Sequence, residues 1–254
     1  MQTGVQISSL RPMLQTEDQV CQTFRHLAGM GVRHVQLQWL GPQISPAFIA
    51  KTAEKEGIHI TGIQDFFVEI QARLPYYIEL NHCTGGTSFT VSRIPESFRT
   101  PDGLIRFADI LKTLQDRLAP LGQRLDFHPT APDYAPVYGI TPVDLLDMQV
   151  PGLTYCLDLY HLACSGTPVV PWIAGHDNRI PVVHFKDQAD GHLVPAGSGS
   201  IPWDGVVATC MKHGVRTALV EQESWDRDPF LCLGEALDWL HQQIDQESRR
   251  NVRH

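Results

Sequence analysis

Four residues of metal-binding type stand at or near the ends of four short apolar runs. His128 closes the run 125–128, Asp158 closes 154–158, His184 lies within 182–185, and Glu221 closes 218–221. Imidazole and carboxylate together suit one borderline-to-hard divalent ion, Mn²⁺, Co²⁺, Zn²⁺ or Mg²⁺, with coordination positions left open for substrate oxygens. Each residue taken alone reads equally well as a helix cap or a satisfied buried polar group. Their joint placement carries the inference, because apolar side chains are expected at most positions lining the interior of such a core.

The neighbours of these four extend the chemistry. Asp158-Leu159-Tyr160-His161 is an Asp-x-x-His pair, and a helix starting near Leu159 places His161 one turn further along the same rim, in reach of a substrate hydroxyl. In Val182-Val183-His184-Phe185-Lys186-Asp187, His184 and Lys186 share a face by strand alternation. Lys186 is then either a cation that steadies a developing enolate or a substrate phosphate, or a salt-bridge partner of Asp187. Glu221 and Glu223 also share a face, and two close carboxylates push one pKa upward unless a cation neutralises them. Glu221 is expected both to bind the metal and to act as general base for a proton α to a carbonyl. The catalytic set expected is therefore Glu221, Lys186 and His161. Substrate contacts are expected from Glu223, from His82 with Asn81 beside it, and from Trp39 and Gln38, each of which reads equally as a plain rim residue.

Such residues converge only if their strands are neighbours. Eight strand-like runs recur, at about residues 5–8, 34–38, 59–63, 77–81, 125–128, 154–158, 182–185 and 218–221. Helical periodicity fills the intervals at 18–30, 46–56, 103–118, 142–148 and 203–213, and again at 231–246. Strand and helix alternating through the whole chain predict a single α/β (β/α)8 TIM barrel over residues 1–254, whose active site lies at the C-terminal ends of the strands. Gly31, Gly57 and Gly214 follow three of the helices, where a left-handed cap is cheap, and Thr141-Pro142 and Pro202-Trp203-Asp204 read as helix starts. The loops 82–100 and 188–202 are longer than the barrel needs and contain glycines, so they are candidate lids or ordinary surface variation. Residues from about 246 onward, with Arg249, Arg250 and Arg253, read as a frayed tail.

Bulk properties narrow the function classes. The 254 residues carry a net charge of −8 and no long basic run, which disfavours a phosphate backbone as partner. Six cysteines without a CxxC pair suggest neither a zinc ribbon nor a redox motif and predict a reduced, cytoplasmic setting. The N-terminus lacks the pattern of a signal peptide, and no window is apolar enough for a membrane span.

At these motifs the chain resembles the sugar phosphate isomerase/epimerase family, the xylose isomerase-like TIM barrels that include inosose dehydratases, ketose 3-epimerases and, more remotely, endonuclease IV. The likeness spans nearly the whole chain. It begins with Gly4-Val5-Gln6-Ile7-Ser8-Ser9-Leu10-Arg11 and the second strand Gly31-Val32-Arg33-His34-Val35-Gln36-Leu37, and is most specific at Leu157-Asp158-Leu159-Tyr160-His161, His184-Phe185-Lys186-Asp187, Gly197-Ser198-Gly199 with Trp203, and Val220-Glu221-Gln222. The resemblance implies Asp158, His184 and Glu221 as metal ligands and His161 as a substrate-binding residue. It also implies a Glu or its equivalent on strand five, where this chain has His128-Pro129-Thr130-Ala131-Pro132-Asp133-Tyr134. His128 falls nearest the ligand position, with Asp133 as the substitute. A neutral coordinating imidazole cannot accept a proton, so the two-carboxylate scheme that the ketose epimerases suggest loses one member. Gln36 and Gln38 likewise stand where relatives often carry a Glu.

The expectation is a metal-dependent isomerase or epimerase, or a dehydratase, acting on a sugar, cyclitol or related polyhydroxy ketone by proton abstraction α to a metal-bound carbonyl. The alternative is a degenerate, non-catalytic sugar-binding barrel; an endonuclease IV-like nuclease ranks below both. Partners expected are a small sugar-like molecule and a second copy of the chain in a homo-oligomer, with neither nucleic acid nor membrane.

Overall fold

Ser88-Phe89-Thr90-Val91-Ser92 and Arg124-Leu125-Asp126-Phe127-His128 alternate polar with apolar residues, so each strand has one polar and one apolar side. A computed structural model, which describes residues 1–251, closes eight parallel strands into a barrel. These are β1 (Gln2–Gln6), β2 (His34–Leu37), β3 (His59–Phe66), β4 (Ser88–Ser92), β5 (Arg124–His128), β6 (Thr154–Asp158), β7 (Val182–Phe185) and β10 (Thr217–Val220). They pair in the order β1-β10-β7-β6-β5-β4-β3-β2. A small antiparallel hairpin of β8 (Asp187–Ala189) and β9 (His192–Val194) stands apart from the barrel wall.

The outer ring consists of α1 (Glu17–Gly29), α2 (Pro46–Glu56), α3 (Phe67–Thr84), α4 (Pro101–Leu118), α5 (Pro142–Gln149), α6 (Leu159–Cys164), α7 (Val169–Gly175), α8 (Val206–Lys212) and α9 (Pro229–Asn251). Local signals explain several boundaries. Thr16 and Gln19 form a capping box at α1. Ser45 caps α2, Pro46 opens it, and Gly57 closes it at φ 66°, a left-handed conformation that glycine adopts without steric cost. Apolar strand faces pack outward on the helices; Phe127 meets Phe107, and Phe107 meets Phe67 and Phe98, with ring centroids 5.0–5.9 Å apart. None of the helices among the described residues is long and apolar enough to cross a membrane.

The barrel interior departs from the branched aliphatic layers usual in this architecture. Gln6 Nε2 donates to Gln36 Oε1 at 3.1 Å, and Gln36 Nε2 donates to Thr90 Oγ1 at 3.2 Å. Lower in the barrel, Asp126 accepts two hydrogen bonds from Arg124 at 2.7 and 2.8 Å, and others from Ser88 and Thr154. Buried polar groups persist where they are bonded, and these are.

One strand lies elsewhere than expected. Residues 77–81 belong to α3, and the fourth strand is Ser88–Ser92, inside the segment read as a long loop. Tyr76, Tyr77 and Ile78 are strand-favouring residues and Pro75 is a helix breaker, so the local sequence disfavours a helix there. The backbone resolves this by kinking at Arg73 (φ −128°, ψ 27°), which puts Pro75 in the first turn after the kink, where its missing N–H leaves no bond unmade. The proposed lid after strand four therefore dissolves into β4 and a short turn, whereas the 188–202 segment remains a loop carrying the hairpin. The helix expected from 203 begins at Val206, and α9 continues through Asn251, past the point where fraying was expected. Arg253 lies outside the described residues.

Replacing Asp126 with Ala strips Arg124, Ser88 and Thr154 of a shared acceptor. We expect a loss of about 2–3 kcal/mol, moderated because a third of the Arg124 side chain is open to water. A urea midpoint equal to that of the parent would contradict the assigned role.

Candidate metal centre and active site

Strand register brings the four metal-binding side chains to one mouth. Asp158 on β6 is the direct partner of His184 on β7, and His128 on β5 pairs with Ser92 on β4. Glu221 follows the last residue of β10. One ligand atom from each of His128, Asp158, His184 and Glu221 lies within 4.8 Å of the others, and all four residues are buried.

The atoms that face this centre are the ones left without hydrogen bonds. His128 Nε2, Asp158 Oδ2 and His184 Nδ1 are buried and unbonded. Their far sides are engaged: Ser92 Oγ lies 3.3 Å from His128 Nδ1, the backbone N–H of His161 donates to Asp158 Oδ1 at 3.1 Å, and His184 Nε2 is 2.7 Å from Gln36 Oε1. An amide oxygen only accepts, so His184 Nε2 carries a proton and donates it to Gln36. Such an outer partner orients a ligating imidazole. Orphaned buried acceptors and nitrogens are rare, and three aimed at one point, beside the Glu221 carboxylate, form a donor set that fits a divalent cation.

Lys186 supplies positive charge at the edge of this cluster. Its Nζ stands 3.1 Å from Asp158 Oδ2, too poorly aligned there to count as a hydrogen bond, 3.4 Å from Glu221 Oε2 and 2.9 Å from Glu223 Oε1. Burial alone would strip its proton, but the three carboxylates overcome burial and hold the lysine charged. Burial likewise raises Asp158 and Glu221, and Lys186 outweighs it, holding both carboxyls below the usual range. Ser8 Oγ donates to Glu221 Oε1 at 2.8 Å. His128 is pushed down to about 3 by burial and then by His184, so its imidazole is neutral at any ordinary pH. At His184 burial also lowers the pKa, yet Cys156 and the Glu221 carboxylate 3.2 Å from Nδ1 carry it well above the ordinary value. A metal must therefore displace a proton from His184. Glu223 is different in kind: burial and Glu221 push its carboxyl up to about 7 against the pull of Lys186.

The other expected residues divide. His161 stands at the rim, its Nε2 3.8 Å from Asp158 Oδ2. Gln38 is buried at the end of β2 and accepts from Gln64 Nε2 at 3.3 Å, with Trp39 half-buried above it. His82 and Asn81 lie at the end of α3, and Asn81 donates to the carbonyl of Ser88, the first residue of β4, so both stand at the opposite end of the barrel and away from the site. Asp133 is also elsewhere, held by Arg99 at 2.6 Å and by Thr130. Asp187 does not pair with Lys186. It accepts the backbone N–H groups of Gln188, Gly197, Gly199 and Ile201 and the indole N–H of Trp203, pinning the loop after β7. A Cβ on Gly199 would lie 2.2 Å from Asp187 Oδ1, so this loop closes only around a glycine.

Sequence reasoning passed over Ser8 and Ser92. Ser8 lies in the 3-10 turn that follows β1, where alternation along the strand no longer applies, and Ser92 was hidden by the misplaced fourth strand.

The family model for xylose isomerase-like TIM barrels matches residues 24–243. No curated protein sequence matches the chain. Among solved structures, a sugar phosphate isomerase/epimerase from Parabacteroides distasonis is similar with a TM-score of 0.78 at 15% identity, over 94% of this chain and 92% of that one. An L-ribulose 3-epimerase is similar with a TM-score of 0.77 at 15% identity, over 99% and 97%. The probable 3-DHS dehydratase of Bacillus anthracis, involved in petrobactin synthesis, gives 0.71 at 15%, over 95% and 99%. At such identities the likeness carries the fold alone.

We expect Asp158→Ala and His184→Ala each to abolish Mn²⁺ binding by calorimetry while leaving the far-ultraviolet circular dichroism unchanged. His128→Gln should bind more weakly with the same pH slope, because the proton that competes with the metal sits on His184 while His128 is already neutral. An affinity unchanged by His128→Gln would place His128 outside the ligand set.

Proposed function

This chain belongs to the xylose isomerase-like TIM barrel family, and on that premise we propose that it is a metal-dependent isomerase or epimerase of a sugar, cyclitol or related polyhydroxy ketone. One observation carries the reading: three unbonded buried donor atoms, with Glu221 beside them, converge at the C-terminal mouth of the barrel. His128, Asp158, His184 and Glu221 would hold the ion. A bound divalent ion supplies Lewis acidity that polarises a carbonyl and makes the neighbouring C–H more acidic.

The remaining work falls to the chain's own groups. Glu221 has one oxygen on Ser8 and the other beside Lys186 and His184, and its side chain is 3% exposed. Glu223 makes its one side-chain bond through Oε1, and its side chain is 32% exposed to the mouth. We therefore divide the two roles that the sequence gathers on Glu221: Glu221 binds the ion and Glu223 moves the proton. Lys186, held charged 2.9 Å from Glu223, steadies negative charge on the substrate oxygen. His161 binds a substrate hydroxyl, and Trp39 and Gln38 line the opposite side. The carboxylates available to move a proton lie on the β6–β10 side, and β5 contributes an imidazole. One base on one face favours isomerisation through an enediol over a two-base epimerisation, with dehydration of a β-hydroxy ketone using the same proton removal.

A second reading, a sugar-binding barrel without catalysis, draws support from Lys186, whose ammonium already stands against both ligand carboxylates. Metal content of the purified protein and a panel of ketoses and aldoses with Mn²⁺, Co²⁺, Zn²⁺ or Mg²⁺ separate the two. Turnover with a bound ion supports the enzyme. A protein that binds sugar but takes up no ion supports the second reading.

Within the first reading, Glu223→Gln should lower kcat by about 10²–10⁴-fold with metal affinity retained, the usual contribution of a positioned general base. Glu221→Gln should act mainly through weaker metal binding, recoverable with excess ion. The reverse pattern would return the base to Glu221.

A further inference from the structure

The metal-binding side chains come from β5, β6, β7 and the end of β10; the tips of β2, β3 and β4 carry a different chemistry. Trp39 follows β2 by two residues, Phe66 is the last residue of β3, and Arg93 is the first residue after β4. The Trp39 and Phe66 rings lie 5.5 Å apart. Arg93 places its Cζ 4.7 Å from the Phe66 ring, and Arg11, from the turn after β1, places its Cζ 4.7 Å from Trp39.

Two features combine at these arginines. Arg25, Arg99, Arg124, Arg179 and Arg227 each pair with a carboxylate, whereas Arg11 and Arg93, like Arg106, Arg117 and Arg216, have no ion pair or side-chain hydrogen bond among the described residues; Arg11 and Arg93 are the ones that follow barrel strands at their C-terminal ends. Both are exposed, in a chain where acids outnumber Lys and Arg 28 to 20. Trp39 and Arg93 also hold positive φ, 55° and 50°, a conformation that residues other than glycine seldom adopt. The backbone N–H of Arg93 donates to the carbonyl of His128 at 3.1 Å, which ties this corner to a proposed metal ligand.

We propose that Arg93, with Arg11 against the adjacent Trp39 ring, is an anion-binding wall facing the metal cluster across the mouth, and that the substrate is a polyhydroxy carbonyl compound bearing a phosphate or carboxylate. A guanidinium resting on an aromatic ring keeps its in-plane N–H fork free, the geometry that takes two oxygens of either group. The opposite side fixes the orientation. Asp158, Glu221 and Glu223 crowd around one lysine there, so even with a divalent ion bound the metal end carries no surplus positive charge, and an anionic group is drawn to the arginine end, leaving the carbonyl toward the ligands. The inference rests on the proposed function for the identity of the carbonyl compound, but the anion wall itself needs no metal.

Calorimetry on the full chain after metal removal tests it, with inorganic phosphate and D-glucuronate as anionic probes and D-fructose as the neutral control. Phosphate or D-glucuronate should bind the parent and lose about tenfold or more in affinity in Arg93→Gln, the loss expected of one charge-assisted contact. Arg11→Gln, at an exposed position, should lose part of it, and D-fructose binding should respond to neither. Binding of phosphate alone assigns a sugar phosphate, and of D-glucuronate alone a sugar acid. Failure of both anions to bind the parent, or anion binding unchanged in the double variant, would overturn the wall. Because no metal and no turnover enter this measurement, a failed isomerase assay leaves its outcome standing.

Discussion

Gathering the electron pairs of two carboxylates and two imidazoles into one buried mouth is costly, and the rest of the site is arranged around that cost. Lys186 stands against Asp158, Glu221 and Glu223, Ser8 takes one oxygen of Glu221, and Gln36 takes the outer nitrogen of His184. Ser8 and Gln36 engage the outer sides of the cluster, Lys186 stands at its edge, and His128 Nε2, Asp158 Oδ2 and His184 Nδ1 are left without hydrogen bonds. A divalent cation is the group whose charge and size answer all four at once.

The polar barrel interior follows from the same constraint. His184 is oriented by Gln36, which is itself fixed by Gln6 and Thr90, so the imidazole's direction is set by side chains on three other strands. An aliphatic interior would pack well but leave the His184 ring without a reference. Above the mouth, Asp187 does comparable work for the loop after β7 by accepting five N–H groups, and Gln222 Nε2 reaches the carbonyl of Leu193 in the β9 strand. That loop is held by its own bonds and is a fixed wall in this structure.

The ligand-bearing half of the barrel was legible in the sequence because each of its strands is a short apolar run interrupted by a polar residue at its C-terminal end, and alternation then says which residues share a side. The other half was harder to read. Pro75 and the aromatic run beside it disguised α3 as a strand, since only tertiary packing tolerates the kink at Arg73 that makes the proline harmless. With β4 misplaced, His82 was drawn into the site, while Ser92 and Arg93 were taken for loop. Of the two readings open for Lys186, the ion pair with Asp187 fails because Lys186 turns to Asp158, Glu221 and Glu223, while the partners of Asp187 come from residues 188–203, which no local pattern relates to it. Asp133, the lesser substitute for His128, is held by Arg99 across a loop, a pairing that no local pattern announces.

The account stands most directly on where a metal sits. Anomalous diffraction from Mn²⁺-soaked crystals of the full chain should give one dominant peak at the C-terminal mouth, about 2.0–2.3 Å from His128 Nε2, Asp158 Oδ2, His184 Nδ1 and a Glu221 oxygen. A peak elsewhere on the molecule, or none at this mouth with Lys186 still bridging the carboxylates, would contradict it.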